Sequence, residues 1–260
     1  MTVFVSKMRN LIDKVKRYYG FNKSEVQALV ITVLVLGFVF GFDDGRSSFN
    51  FAFWLMNLFN CVLLVALSLL VSHSVVRIFN IHFGYKPEFK MSLYGLIFCL
   101  IVVLISDSWG KAIPILLPGF FVVSMMEGHR IGRFRYGINY KILGSISLFG
   151  PATNMLLAVL FKGLSALPFL AGNVLIEKAI LINMLFAVYS LIPIPMNIGI
   201  YIFYWSRLGF AFIFSTFLGL ALMINFSVAW WLIILTALVV GVVGWFLFYV
   251  FFEQEAWQYV

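Results

Sequence analysis

The sequence predicts an all-α, polytopic membrane helix bundle with about six to eight crossings and one short re-entrant or extended segment. Three observations carry that prediction. Of 260 residues, 63% are hydrophobic and only 11% charged, with a mean hydropathy of +1.04, whereas soluble domains are about 25% charged. The apolar residues come in runs of about twenty, not in the period-2 alternation of a transmembrane barrel. The basic residues cluster between those runs, as the positive-inside rule places them in cytoplasmic loops.

The N-terminal segment 1–24 is read apart from the single membrane domain 25–260. Val5, Met8, Leu11, Ile12, Val15 and Tyr19 recur at helical spacing among lysines and arginines. This pattern predicts an amphipathic helix on the cytoplasmic membrane surface. Asn22 and Glu25 have the spacing of a helix cap. Spans follow at about 26–42, 51–74 (continuing as helix to near Asn80) and 91–106. Residues 113–126 are apolar but hold Pro114, Pro118 and Gly119, and they are too short for a helical span. They are expected to return inward as a re-entrant or extended stretch buried among helices. Further spans are expected at about 143–168, 177–194, 209–225 and 228–252. Both termini, with loops 78–90 and 127–141, are then cytoplasmic, and 43–50 and 168–176 lie outside. The expected location is the cell membrane.

The net charge of +8 does not point to nucleic acid. The charges are grouped as Lys7, Arg9, Lys14, Lys16, Arg17 and Lys23, then Lys86 and Lys90, then Arg130, Arg133, Arg135 and Lys141. Such loop clusters face anionic lipid headgroups. The expected partners are the bilayer and other integral membrane proteins. Cys61 and Cys99 fall in apolar runs without metal or redox spacing and read as buried thiols.

Three places in the apolar spans carry unusual residues. The first is His73-Ser74-Val75-Val76-Arg77 with Ile81-His82-Phe83-Gly84-Tyr85; the second is Gly150-Pro151-Ala152-Thr153-Asn154. The third is Asn183 with Ser190-Leu191-Ile192-Pro193-Ile194-Pro195-Met196-Asn197-Ile198-Gly199. In order and spacing they resemble the site-2 protease family of intramembrane zinc metalloproteases over about residues 50–208. The stretch Gly84 to Gly95, with Tyr85, Glu88 and Phe89, is similar to its archaeal branch. The family's chemistry uses a helix bearing HExxH, whose two histidines lie on one face and bind zinc while the glutamate acts as general base. A later LDG motif supplies the third ligand.

The resemblance implies a degenerate site. His73 matches the first histidine, Ser74 stands at the glutamate, Arg77 at the second histidine and Ile198 at the aspartate. Ser190 matches an asparagine ahead of the Pro-rich break. No zinc, cofactor or catalytic residue is therefore expected. His82, nine positions from His73, falls on the opposite side of a continuous helix, and Glu127 and His129 adjoin a basic loop. His73 reads as a neutral, hydrogen-bonded relic. Two readings stand for Arg77. It snorkels to the interface, or its charge replaces the zinc and joins a polar cluster of His73, Asn154, Asn183 and Ser190. The expected function is a catalytically inactive, helix-binding or structural subunit of a membrane complex. An active intramembrane protease and a channel or transporter are the alternatives.

Overall fold

The computed structural model describes residues 2–43, 45–46, 49–107, 112–126, 140–195, 197–224, 226 and 230–254, with residues 2–8 as backbone alone. Two compact units result, Met1–Ile142 and Leu143–Val260.

The first unit opens with α1 (Thr2–Tyr18), α2 (Lys23–Gly41) and α3 (Phe51–His82). Helices α2 and α3 form an antiparallel hairpin through glycines. A Cβ on Gly37 would meet Val62, and one on Gly41 would meet Leu58. Small residues at those points let the two backbones close up. Leu36 on α2 and Cys61, Val65 and Leu69 on α3 are buried. At the turn end, Trp54 Nε1 donates to Phe42 O at 3.0 Å and Asn57 Nδ2 to Gly41 O at 3.0 Å. These bonds satisfy carbonyls that a helix end leaves open. The N-terminal segment belongs with this unit, because α1 packs on α3.

After α3 the chain is extended. β1 (Tyr85–Met91) precedes α4 (Leu93–Asp107), and β2 (Gly119–Met125) returns antiparallel to β1, Tyr85 opposite Met125 and Met91 opposite Gly119. The extended reading of 113–126 thus holds for its second half. A second strand was not expected, and the fold is mostly helical with a two-stranded sheet rather than all-α. Helix α4 falls within a few residues of the third expected span, 91–106. At 15 residues, α4 is about 22 Å long, below the ~30 Å of a hydrocarbon core.

The sheet's ladder runs through the even residues, since Met126 N–H donates to Gly84 O and Ser92 N–H to Pro118 O. The outward edge of β1 therefore carries the odd ones, where Pro87 has no N–H and Phe89 N–H is bound by a side chain described below. The middle of that edge thus offers no free N–H for further pairing. Gly119 has φ +139, and a Cβ there would strike Lys90 O; only glycine lets β2 start against β1.

The second unit contains α5 (Tyr140–Ser147, which crosses the boundary), α6 (Phe149–Ser165), α7 (Val174–Leu191), α8 (Gly199–Trp205), α9 (Arg207–Met223) and α10 (Trp230–Phe248). A π-helical turn, Tyr249–Glu253, extends α10. Ala158, Ile180, Met184 and Ile224 form one apolar core, and Leu191, Ile202 and Phe210 another. The short helix α8, between the expected spans 177–194 and 209–225, was not anticipated.

Among the described residues, five helical segments are long and apolar enough to cross a membrane: Lys23–Gly41, Phe51–His82, Tyr140–Ser165, Val174–Leu191 and Trp230–Glu253. The chain is a helical membrane protein.

Candidate functional site

Helix α3 brings the unusual residues together by periodicity. At 32 residues it is about 48 Å long, well beyond a ~30 Å hydrocarbon core. Ser72, His73, Ser74, Arg77, Asn80 and His82 fall in its last turns. His73 and Arg77, four apart, share a face and are both buried. The helix is continuous through His82, whose side chain is exposed and sits edge-on to Phe83.

Arg77 does not snorkel. Its side chain is 2% exposed and ion-pairs with Glu25, itself 1% exposed. Nη1 donates to Gly20 O at 2.9 Å and Tyr19 O at 3.2 Å. The guanidinium lies 4.1 Å from the centroid of the Phe21 ring. Burial is possible because each face of the cation is answered: a carboxylate, two carbonyls and a ring quadrupole.

Glu25 ties further elements to the same point. Its Oε1 also accepts from Phe89 N–H at 3.1 Å, and its Oε2 from Asn22 N–H at 3.4 Å. The expected cap is present, and the same carboxylate reaches α3 and β1 as well. Sequence reasoning treated Glu25 only as a cap. The available signal was a lone acid in the first apolar span and a lone arginine in the second, since charges buried in a membrane protein pair with one another.

Ser74 and Arg77 bond the same short joint between α1 and α2. Arg77 holds the carbonyls of Tyr19 and Gly20, and Ser74 Oγ accepts from Tyr19 Oη–H at 2.7 Å. Beside them, His73 is packed between aromatic rings, 4.6 Å from Phe89 and 4.8 Å from Phe121 by centroid. Its Nδ1 has no hydrogen-bond partner among the described residues, so at that atom the expected hydrogen-bonded relic is not found. Glu88, half-buried on β1, pairs with Lys90 at 3.3 Å and accepts from Ser24 Oγ at 3.4 Å.

The remaining expected residues lie in the second unit. Asn154 on α6 and Asn183 on α7 are buried, and the Oδ1 of each is unpartnered among the described residues. Asn183 Nδ2 donates to Ala179 O at 2.8 Å. Ser190 is buried near the end of α7. The hydrogen bonds found for Arg77 go to its own unit, and Asn154, Asn183 and Ser190 are not among its partners. After α7, Asn197 Nδ2 donates to Tyr189 O at 2.7 Å and Ile192 O at 2.9 Å, while its Oδ1 accepts from Ile198 N–H at 2.9 Å. These bonds close the Pro-rich break and bury Ile198. A Cβ on Gly199 would run into the backbone of Leu191, so glycine is needed where α8 starts against the end of α7.

No protein-family model, no curated protein and no solved structure matches this chain. The resemblance to site-2 proteases rests on the residues quoted above.

The chemistry open to the α3 site follows from its donors. The Ser74 hydroxyl offers no carboxylate base, and Arg77 has no lone pair with which to bind a metal. A guanidinium four residues from His73 also repels a dication. Among the described residues, no three His, Cys, Asp or Glu side chains gather as metal ligands would. Glu127 and His129, and with them most of loop 127–141, lie outside the described residues. The arrangement fastens α1, α2, α3 and β1 at one buried ion pair.

Proposed function

We propose that this chain is a site-2-protease-like membrane protein without catalytic activity, acting as a structural or helix-binding subunit of a membrane protein complex. One observation carries the reading. The residues at the general-base and second-ligand positions, Ser74 and Arg77, are committed to holding the α1–α2 joint. A site whose working positions hold the fold together cannot also bind a hydrolytic zinc and its water. Ile198, at the third-ligand position, supports the same reading as a buried apolar side chain. A protease of this class admits a substrate helix from the bilayer, so a scaffold that keeps the fold and loses the catalyst is suited to holding helices. In this proposal the protein sits in the cell membrane, both termini are cytoplasmic, and the partners are other integral membrane proteins.

The deciding experiment is gentle extraction of the tagged chain from its native membrane, sized intact and analysed by mass spectrometry. A stoichiometric membrane-protein partner is expected. A free chain that binds one zinc and cleaves a test transmembrane substrate would overturn the proposal.

A further inference from the structure

Helix α1 is 17 residues long, about 26 Å, and too charged to cross a bilayer. Four residues, 19–22, separate it from α2, so the end of α1 lies within about 17 Å of the start of a membrane span. That short joint is not free to swing. Arg77 grips the Tyr19 and Gly20 carbonyls, Ser74 takes the Tyr19 hydroxyl, and Phe21 lies against the guanidinium. The helix is thus held at the membrane boundary by its C-terminal end.

Its described side chains divide into two faces. Leu11, Ile12, Val15 and Tyr18 lie along one; Arg9, Asp13, Lys14, Lys16 and Arg17 lie along the other. Contact with α3 does not cover the apolar face: Ile12 is 52% exposed. On the polar face Asp13 pairs with Arg17 at 3.3 Å, which leaves Arg9, Lys14 and Lys16 in excess. A half-covered apolar face flanked by surplus cations, fixed beside a membrane span, fits the headgroup region of an anionic bilayer.

We infer that α1 is a fixed arm that docks on anionic phospholipid at the surface of the membrane that the rest of the chain spans, with its joint clamped to α3 by Ser74 and Arg77. Apolar residues enter the headgroup boundary, and the basic face draws phosphate-bearing lipids beneath it. The inference does not depend on whether the α3 site was once catalytic.

The test uses the full chain in lipid nanodiscs. Native Cys61 and Cys99 are buried, so an Ile12→Cys variant can be labelled selectively with a polarity-sensitive fluorophore. Discs of neutral phosphatidylcholine are compared with discs holding roughly 30% phosphatidylglycerol. In the anionic discs the emission should shift to the blue and be quenched by shallow nitroxide-labelled lipids. Raising salt to about 1 M, where screening acts within about 3 Å, should reverse the charge-dependent part. Each basic residue near such a surface is worth about fivefold in binding. Lys14→Glu with Lys16→Glu in the labelled chain should therefore cost at least ~25-fold in the docked-to-undocked ratio. A water-like emission in both discs would overturn the inference. So would a buried emission indifferent to lipid charge, salt and the two reversals, which would assign the face to a protein partner.

Discussion

Glu25 and Arg77 stand 52 residues apart in the chain and form an ion pair in which both side chains are almost wholly buried. Around it meet the end of α1, the first turn of α2, the last turns of α3 and the strand β1.

Removing one partner strands the other. Breaking a buried ion pair costs about 3–5 kcal/mol, so Arg77→Leu and Glu25→Gln should each lower the unfolding temperature sharply in nanodiscs. Arg77→Lys should recover little, because one ammonium cannot reproduce the planar fork that spans Glu25 and two carbonyls. The Glu25→Leu/Arg77→Leu pair should lose less than the sum of the single changes. An Arg77→Leu protein as stable as the unaltered one would show that the pair does not hold the unit together.

The Tyr19–Ser74 hydrogen bond is testable by a double-mutant cycle. Tyr19→Phe and Ser74→Ala should each cost about 1 kcal/mol. The double variant should cost about as much as either alone, since the same bond is lost. Additive losses would mean that the two side chains do not interact.

At the Pro-rich break, space decides. Gly199→Ala places a methyl group against the Leu191 backbone, which cannot give way as a flexible side chain can. Strong destabilisation or loss of the folded protein is expected in expression and size-exclusion profiles. Gly163→Ala, where a Cβ meets nothing within 4 Å, is the matched control and should be neutral or slightly stabilising.

Metal content separates the proposed function from its rival. Ser74, Arg77 and Ile198 supply no zinc donor between them, so elemental analysis after chelator-free purification should give far less than one zinc per chain. About one zinc per chain would revive the protease reading.

The proposed orientation is checked by cysteine accessibility in intact cells. The buried native thiols should stay silent. A cysteine at Ser47 should react with an impermeant reagent, and one at Tyr136 should not; the reverse pattern would invert the topology.

Local periodicity made the spans legible. The expected 26–42 and 177–194 fall within a few residues of α2 and α7, because an apolar run of that length announces its own helix. The extended character of the second half of 113–126 was also readable, from prolines and glycine in a run too short to span. β1 carried a readable pattern, Tyr85, Phe89 and Met91 alternating with Lys86, Glu88 and Lys90. It is short, and its pairing partner lies beyond an entire helix, so nothing local announced a sheet.

The composition and apolar runs by themselves determined that this is a helical membrane protein. On the proposed correspondence to HExxH and LDG, Ser74, Arg77 and Ile198 lack the usual donors. Only the tertiary structure decided what Arg77 does. Helical spacing says which residues share a face, but it does not say what that face meets. The partner that makes a buried guanidinium tolerable came from another helix, through a residue whose local pattern had already explained it as a cap.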